Sequence, residues 1–217
     1  MITFTPEKNS LIQGLKGTQT EENLMRAFAG ESQARNRYTF AASKAHKAKL
    51  YVIKVLFEFT AQQELAHAKV FYDYLKESNG RTLFVDGGYP VELYEDMYSL
   101  LDAAKHDEYQ EHDDIYKSFA DVAEQEGFMG ISKTFKDIAS IEKTHGDRFK
   151  HFAQLVKDNK LFVSDVSTGF VCLNCGHIYT GTEVPEQCPV CKHDRGYFIR
   201  ADLFPLGDSK KFCSSIM

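Results

Sequence analysis

Two Glu-x-x-His motifs occur in this chain of 217 residues, and they lie in two similar halves of its first three quarters. Glu64 is followed three positions later by His67, and Glu142 is followed in the same way by His145. Residues three or four apart share one face of a helix, so each pair can reach a single point. One such pair often arises by chance in an acidic helix, but two copies in equivalent halves predict a metal site.

Additional glutamates precede the two motifs at nearly equal intervals. The interval from Glu31 to Glu64 is almost the same as the interval from Glu108 to Glu142. Two similar helical hairpins would therefore bring matching ligands to one place, as in di-metal carboxylate bundles. Together with Glu111, these glutamates make a set of five carboxylates. Burying their negative charge without compensation is costly, and two metal ions would approximately neutralise it. Oxygen-rich ligation with one imidazole per metal favours iron or manganese over zinc.

The two halves differ at a position that bears on redox chemistry. Alignment by the glutamates places Ala34 opposite Glu111, so one metal has an additional carboxylate available. A carboxylate favours ferric iron, whereas the imidazole of His67 suits ferrous iron, which suggests a redox-linked exchange of these two ligands. The alternative is that Glu111 is a surface residue. Tyr38 and Tyr116 are placed either to donate hydrogen bonds to ligand carboxylates or to be ordinary half-buried tyrosines.

Four of the five cysteines form a second metal signature. They make two Cys-x-x-Cys pairs, Cys172 with Cys175 and Cys188 with Cys191. In a reducing compartment this spacing predicts four thiolates around one metal and not two disulfides. Both structural zinc and redox iron accept such a site, and the neighbouring di-metal centre favours iron because it needs a one-electron donor. Cys213 is left as an unpaired thiol in the C-terminal tail.

The elements that must position these residues are mainly helical. Apolar periodicity and capping signals predict four helices, over about 18–47, 51–78, 91–126 and 131–158. A long crossover over 81–90 between two hairpins predicts a ferritin-like four-helix bundle. We expect an N-terminal arm over 1–17, the di-metal bundle over 18–164, a small β domain over 165–205 and a tail over 206–217.

Composition and charge exclude several other classes of protein. A net charge of -5 disfavours nucleic acid as a partner. The sequence has no apolar run long enough for a membrane helix and no signal-peptide pattern at its start, so we expect a cytoplasmic protein without a membrane partner.

These residues and their order resemble the rubrerythrin family. The resemblance rests on the segment AFAGESQARNRY over 27–38, the two Glu-x-x-His motifs, Glu108-x-x-Glu111 and the cysteine pairs, and it covers about residues 15–203. It implies a ferritin-like bundle followed by a rubredoxin-like domain. It also implies a peroxidase that protects against oxidative stress by reducing hydrogen peroxide to water at a non-haem di-iron centre.

The resemblance further implies a role for each residue of the pattern. The di-iron ligands would be Glu31, Glu64, Glu108, Glu111, Glu142 and His145, with His67 replacing Glu111 on one iron in the reduced state. Tyr38 and Tyr116 would hydrogen-bond to ligand glutamates. Electrons would pass through an Fe(Cys)4 site held by Cys172, Cys175, Cys188 and Cys191.

The family resemblance also implies partners. Its members are usually head-to-tail homodimers in which the rubredoxin-like domain of one chain approaches the di-iron site of the other. The chain has no dinucleotide-binding fingerprint, so we expect a separate NAD(P)H-linked reductase or a rubredoxin to supply electrons.

Two alternative functions use the same bundle ligands. One is a ferroxidase or oxygen reductase that reacts with dioxygen in place of peroxide. The other is an iron-storage bundle with a structural zinc ribbon. The additional Glu111 counts against a simple ferritin, and the metal in the cysteine site separates a redox protein from a structural one.

Overall fold

The protein is described here by a computed structural model that covers residues 14–203. Its helices are α1 (Gln19–Lys47), α2 (Tyr51–Tyr74), α3 (Met97–Gln110), α4 (Tyr116–Gln125) and α5 (Met129–Lys157). A π-helical segment, Glu111–Ile115, joins α3 to α4, so the two form one long helix of the bundle. The predicted mainly helical, ferritin-like bundle is confirmed. Residues 1–13 of the predicted arm over 1–17, and residues 204–217, which include the predicted tail over 206–217 and Cys213, lie outside the described residues.

The C-terminal domain is a small antiparallel sheet. Its strands are β1 (Val163–Cys172), β2 (Ile178–Glu183) and β3 (Phe198–Arg200), in the order β2-β1-β3. Single turns of 3-10 helix, Arg195–Tyr197 and Ala201–Leu203, flank β3. The short alternating segments of the sequence therefore form the predicted β domain.

Helix α1 begins where the sequence predicts, because Thr18 caps its first turn and Glu21 bonds back to the residue before the cap. The hydroxyl of Thr18 accepts a 3.1 Å hydrogen bond from the Glu21 amide, and Glu21 accepts one of 2.7 Å from the Gly17 amide. The buried Glu21 carboxylate also accepts hydrogen bonds from Ser78 and Arg81. It thereby ties the start of α1 to the 3-10 turn, Leu75–Ser78, that ends the second helix.

The third helix begins later than the sequence predicts. The sequence predicts a start near Val91, whereas α3 starts at Met97. The reason is the cap: Asp96 has extended backbone angles, and its carboxylate accepts a 2.8 Å hydrogen bond from the Ser99 amide. The segment 91–96 therefore extends the irregular crossover that joins the two hairpins.

Two aromatic layers enclose the middle of the bundle. On α2, Phe57 and Phe71 each lie seven residues from Glu64, and on α5 the residues seven before and seven after Glu142 are also phenylalanines, Phe135 and Phe149. A spacing of seven keeps residues on one helix face. The ring centroids of Phe57 and Phe149 are 5.2 Å apart, and those of Phe71 and Phe135 are 5.0 Å apart. The acidic residues therefore lie between two packed apolar layers.

The C-terminal domain packs against the turn between α1 and α2. Tyr197 stacks on Tyr51 with ring centroids 3.9 Å apart, and Ile199 joins the apolar core of the bundle. At Gly196 a Cβ atom would lie 1.8 Å from the carbonyl oxygen of Lys49, so only glycine permits this approach. Within residues 14–203, none of the helices is both long enough and apolar enough to cross a membrane.

Candidate metal centres

Six of the seven predicted bundle ligands converge in the interior of the bundle. Their ligand atoms form two groups, each within 4.8 Å, and every member is buried. The groups are Glu31, Glu64, His67 and Glu142, and Glu64, Glu108, Glu142 and His145. Because Glu64 and Glu142 belong to both groups, the arrangement has the form of two adjacent metal positions that share two carboxylates.

The two histidines hold mirrored positions within the groups. His67 Nδ1 lies 2.8 Å from Glu142 Oε1 and 3.1 Å from Glu64 Oε2. His145 Nδ1 lies 2.8 Å from the other oxygen of Glu142 and 3.0 Å from the other oxygen of Glu64. Each shared carboxylate therefore presents one oxygen to each imidazole.

The outer carboxylates complete the two groups. Glu31 Oε2 lies 3.9 Å from His67 Nδ1, and Glu108 Oε2 lies 3.5 Å from His145 Nδ1. The two imidazole rings are nearly parallel, with an interplanar angle of 17° and centroids 5.6 Å apart. The internal repeat of the sequence thus appears in space as two equivalent ligand sets.

The possible ligand atoms of the two groups are better arranged to bind a metal than to hydrogen-bond with one another. Within residues 14–203, several of these buried atoms have no hydrogen-bond partner: Glu31 Oε2, Glu64 Oε1, Glu108 Oε2, both oxygens of Glu142 and both ring nitrogens of His145. Buried polar atoms without partners cost about 1–3 kcal/mol each. Although His145 Nδ1 lies close to carboxylate oxygens, the atoms are not aligned for hydrogen bonding. Lone pairs that converge without donors are the arrangement that a cation satisfies.

Burial of the carboxylates also indicates a site for a cation. Burial, followed by repulsion from Glu142 and Glu111, raises the pKa of Glu31 well above its ordinary value. Burial and the charge of Glu64 likewise raise the pKa of Glu108 well above its ordinary value. Ionised carboxylates at these positions need positive charge close by.

Two tyrosines bond to the outer carboxylates from across the bundle. Tyr38 on α1 donates a 2.5 Å hydrogen bond to Glu108 on α3, and Tyr116 on α4 donates one to Glu31 on α1. Each bond occupies one carboxylate oxygen and leaves the other facing the groups described above. The tyrosines are therefore placed to fix the orientation of Glu108 and Glu31.

Glu111 is the predicted ligand that the structure leaves outside both groups. It is half-buried, at the first position of the π-helical segment, and it faces a cavity. Burial and the charge of Glu108 raise its pKa well above the ordinary value. The structure thus holds His67, and not Glu111, at the position for which the sequence predicts an exchange of ligands.

The π-helical segment corresponds to one extra residue in the second half of the repeat. Tyr38 follows Glu31 by seven residues, whereas Tyr116 follows Glu108 by eight. Both tyrosines nevertheless make equivalent hydrogen bonds, so the second half must accommodate one extra residue within its helix. The π-helical turn does so, and Glu111 begins it.

Sequence reasoning missed one charged residue close to the metal groups. Arg148 is half-buried on α5, and its guanidinium donates a 3.1 Å hydrogen bond to Gln63 and one of 3.4 Å to Thr60. Burial lowers its pKa, while the nearby charges of Glu108 and Glu64 act in the opposite direction. Its position three residues after His145, on the same helix face, was the signal available in the sequence.

The four predicted cysteines also come together. Their sulfur atoms all lie within 4.8 Å of one another, with Cys172 Sγ 3.7 Å from Cys191 Sγ and Cys175 Sγ 3.7 Å from Cys188 Sγ. All four are free thiols, because these separations are far longer than the S–S bond of a disulfide. The cluster has the form of a four-thiolate metal site.

Two similar turns hold the cysteines. In the first, the Gly176 amide donates a 2.8 Å hydrogen bond to the Cys172 carbonyl, and in the second the Lys192 amide donates one of 3.0 Å to the Cys188 carbonyl. Gly176 and Lys192 both have positive φ, of 75° and 63°. A hydrogen bond from the backbone amide of His193 lowers the pKa of Cys191 to about 6, which favours the thiolate.

Solved structures share this architecture. The fully reduced, all-ferrous state of nigerythrin superposes with a TM-score of 0.57 and 26% identity, over 92% of this chain and 98% of that one. A bacterioferritin from Desulfovibrio desulfuricans with a di-iron site gives a TM-score of 0.58 over 65% of this chain and 82% of its own. At 19% identity, the second likeness shows the bundle fold alone.

Sequence comparisons identify the family. The sequence model for rubrerythrin matches residues 22–153, and that for the rubredoxin-like domain of rubrerythrin matches residues 170–199. Rubrerythrin of Clostridium perfringens is 43% identical over 188 residues, which are 86% of this chain and 96% of the relative. Rubrerythrin of Nitratidesulfovibrio vulgaris is 38% identical with the same coverage. The bundle accordingly carries a di-iron carboxylate and histidine site, and the C-terminal domain carries a rubredoxin-like four-cysteine site. The chain belongs to the rubrerythrin family.

Proposed function

We propose that this di-iron oxidoreductase is a peroxidase that reduces hydrogen peroxide to water with electrons supplied through its four-cysteine site. The observation that carries the proposal is the pair of overlapping ligand groups with an additional carboxylate, Glu111, close by but outside both groups. A storage site needs no alternative ligand, whereas a centre that changes oxidation state in each turnover benefits from one. Membership of the family and the adjacent cysteine site support the same conclusion.

We assign the ligands from the geometry of the two groups. Glu64 and Glu142 would hold both metals, because each presents one oxygen to each group. Glu31 with His67 would hold one metal alone, and Glu108 with His145 would hold the other. With oxidised metals bound, Glu111 would be suited to take the place of His67, because a carboxylate neutralises the added positive charge better than an imidazole does.

The residues of the chain supply orientation, proton transfer and exclusion of bulk water. Iron held by these residues would supply the two electrons that cleave the O–O bond of peroxide, and two protons would complete the formation of two water molecules. Glu111 is the carboxylate of the set that faces the cavity, so we assign it the transfer of protons. Tyr38 and Tyr116 keep the outer carboxylates in place, and the two phenylalanine layers keep the remaining surroundings dry.

Electron delivery favours a second copy of the chain. The cysteine domain packs against the turn before Tyr51, and Glu64 lies between three and four helical turns beyond Tyr51 on α2. At a rise of about 5.4 Å per turn, the di-iron centre lies about 20 Å along the helix from the docked domain. Because electron transfer slows steeply with distance, a head-to-tail homodimer would offer a shorter path from the cysteine site of one subunit to the di-iron centre of the other.

Exposed apolar side chains support such an assembly. Phe40 on α1 is 66% exposed, and Phe59 and Tyr72 on α2 are 53% and 54% exposed. Large apolar side chains exposed on α1 and α2 are available for burial in such an interface. Sedimentation of the metal-loaded protein tests this proposal: a mass of two chains supports it, and a mass of one chain at micromolar concentration contradicts it.

Competition between oxidants tests the proposed activity. The reduced protein is mixed in a stopped-flow instrument with hydrogen peroxide or with dioxygen, and oxidation of the di-iron centre is followed by its absorbance. We expect peroxide to react much faster than dioxygen at equal concentration. A faster reaction with dioxygen would identify the ferroxidase or oxygen reductase instead. The immediate electron donor is expected to be a separate NAD(P)H-linked reductase or a rubredoxin.

A further inference from the structure

A cavity of about 470 Å³ lies between α1, the crossover and the π-helical segment. Among its lining residues are Gly30, Arg37, Tyr89, Asp107, Glu111 and Tyr116. Glu111 is half-buried there, whereas Glu31, Glu64, Glu108 and Glu142 are all at most 1% exposed. The cavity thus leads from the surface to the one carboxylate of the site that solvent can reach.

Tyr89 covers this cavity from the crossover. Its hydroxyl donates a 3.1 Å hydrogen bond to the carbonyl oxygen of Arg26, and its ring lies over Gly30 of α1, with Cε1 3.8 Å from where a Cβ atom would be. At Gly87 a Cβ atom would lie only 2.9 Å from the Tyr89 hydroxyl oxygen, so glycine leaves room for the ring. The tyrosine is 42% exposed, so one side of it faces solvent and the other faces the cavity.

Ion pairs hold the crossover on both sides of Tyr89. Asp86 lies 2.7 Å from the guanidinium of Arg26. Glu92 lies 2.5 Å from Arg37, and the same nitrogen of Arg37 is 2.6 Å from Asp107. Asp107 precedes Glu108 in the chain, so these contacts fix the crossover to α1 and to the helix that carries the metal ligands.

We propose that this cavity is the route by which hydroperoxide reaches the di-iron centre, and that Tyr89 restricts it to small hydroperoxides. The proposal rests on the proposed peroxidase function and adds the residue that determines substrate size. Hydrogen peroxide is similar in size to two water molecules and can pass beneath the ring. A cumyl group is larger than the ring itself, so cumene hydroperoxide requires the ring to move away.

Two substitutions of Tyr89 and one control test the proposal. Tyr89→Ala removes the ring, Tyr89→Phe keeps it, and Tyr94→Ala removes a similarly exposed tyrosine of the crossover that is not among the cavity-lining residues. Each reduced protein is mixed with hydrogen peroxide and with cumene hydroperoxide, and the ratio of the two second-order rate constants is measured. Tyr89→Ala should raise the relative rate with cumene hydroperoxide by at least about tenfold, the size of effect that a steric pocket produces. Tyr89→Phe and Tyr94→Ala should retain the wild-type ratio.

A second measurement does not depend on turnover. The metal-free proteins are treated with a bulky carbodiimide and an amine, and modification of Glu111 is read by peptide mass spectrometry. Glu111 should be modified faster in Tyr89→Ala than in Tyr94→Ala. Equal modification, or an unchanged ratio of rate constants in Tyr89→Ala, would overturn the assignment of Tyr89. A wild-type protein that does not react with hydrogen peroxide at all would instead refute the proposed function.

Discussion

Tyr38 donates a hydrogen bond to Glu108 across the bundle, from α1 to α3, with an oxygen to oxygen distance of 2.5 Å. Tyr116 makes the equivalent bond to Glu31 in the opposite direction. The internal repeat thus includes the residues that orient the outer carboxylates. Each half of the bundle supplies a tyrosine that bonds to a carboxylate of the other half.

Tyr38→Phe should weaken metal binding, because the freed oxygen of Glu108 loses its partner and the carboxylate loses its fixed orientation. We expect a loss of metal affinity of about 10–100-fold, measured by competition with a chelator. Tyr116→Phe should have a similar effect through Glu31. A matched control is Tyr109→Phe, because Tyr109 bonds to the exposed Asp147 and to no member of the metal groups. Unchanged affinity in both variants would exclude a role for the tyrosines in metal binding.

Glu111→Ala should slow the reaction with peroxide while leaving the cysteine site intact. Loss of a group that transfers protons typically slows a reaction by about 10²-fold or more. The rate is measured by stopped-flow oxidation of the reduced protein, and the absorbance of the cysteine-bound iron reports on the other site. Asp114→Ala, in the same π-helical segment and beside the same cavity, is the control. Equal rates in wild type and Glu111→Ala would remove Glu111 from the mechanism.

The metal-free protein should lose stability as the pH rises. Burial raises the pKa values of Glu31 and Glu108 well above those of the unfolded chain, so the folded state holds their protons more tightly. Burial alone would lower the pKa of His67, but the neighbouring carboxylates of Glu142 and Glu64 raise it to about 9. A raised pKa gives stability that is complete below the unfolded value and is lost as the pH rises through the folded value.

Thermal unfolding at about pH 5.5 and about pH 8.5 measures this dependence, since those conditions lie on either side of the ordinary histidine pKa of about 6.5. The midpoint of the metal-free protein should fall across this interval. Bound iron takes the place of the protons, so the metal-loaded protein should show a much smaller change. A metal-free midpoint that rises with pH would contradict the assigned burial of these groups.

Gly196→Ala should destabilise the packing of the C-terminal domain on the bundle. The new Cβ atom would lie 1.8 Å from the Lys49 carbonyl oxygen, and a backbone atom cannot turn aside as a side chain can. We expect a loss of about 1–3 kcal/mol in the free energy of unfolding. Gly130→Ala is the matched control, because a Cβ atom there meets nothing within 4 Å. Equal denaturation curves for the two variants would show that the two domains do not pack in this way.

The repeat in the sequence was sufficient to predict the bundle and six of the residues that converge inside it. Helix geometry alone places Glu64 and His67 on one helix face, and likewise Glu142 and His145. A single sequence is therefore enough to predict each pair. The cysteine pairs are similarly local. The structure brings these residues together because the two hairpins have nearly the same length between ligands.

Other features depend on long-range packing that the sequence does not specify locally. The later start of the third helix follows from the cap at Asp96, which competes with the helical pattern before it. The position of Glu111 follows from the π-helical turn. The available signal for this turn in the sequence was that Tyr116 follows Glu108 by one residue more than Tyr38 follows Glu31. The cavity beneath Tyr89 depends on where the crossover lies, and crossover residues have no periodicity from which to predict it.

The colour of the protein during one cycle of reduction and oxidation tests the central claim most directly. The protein purified in air should be red, because ferric iron bound to Cys172, Cys175, Cys188 and Cys191 absorbs visible light. Anaerobic reduction should bleach it, and addition of hydrogen peroxide should restore the colour as electrons pass from the cysteine site through the di-iron centre. A colourless protein with one zinc per chain, or a bleached protein that stays colourless after peroxide is added, would contradict the account.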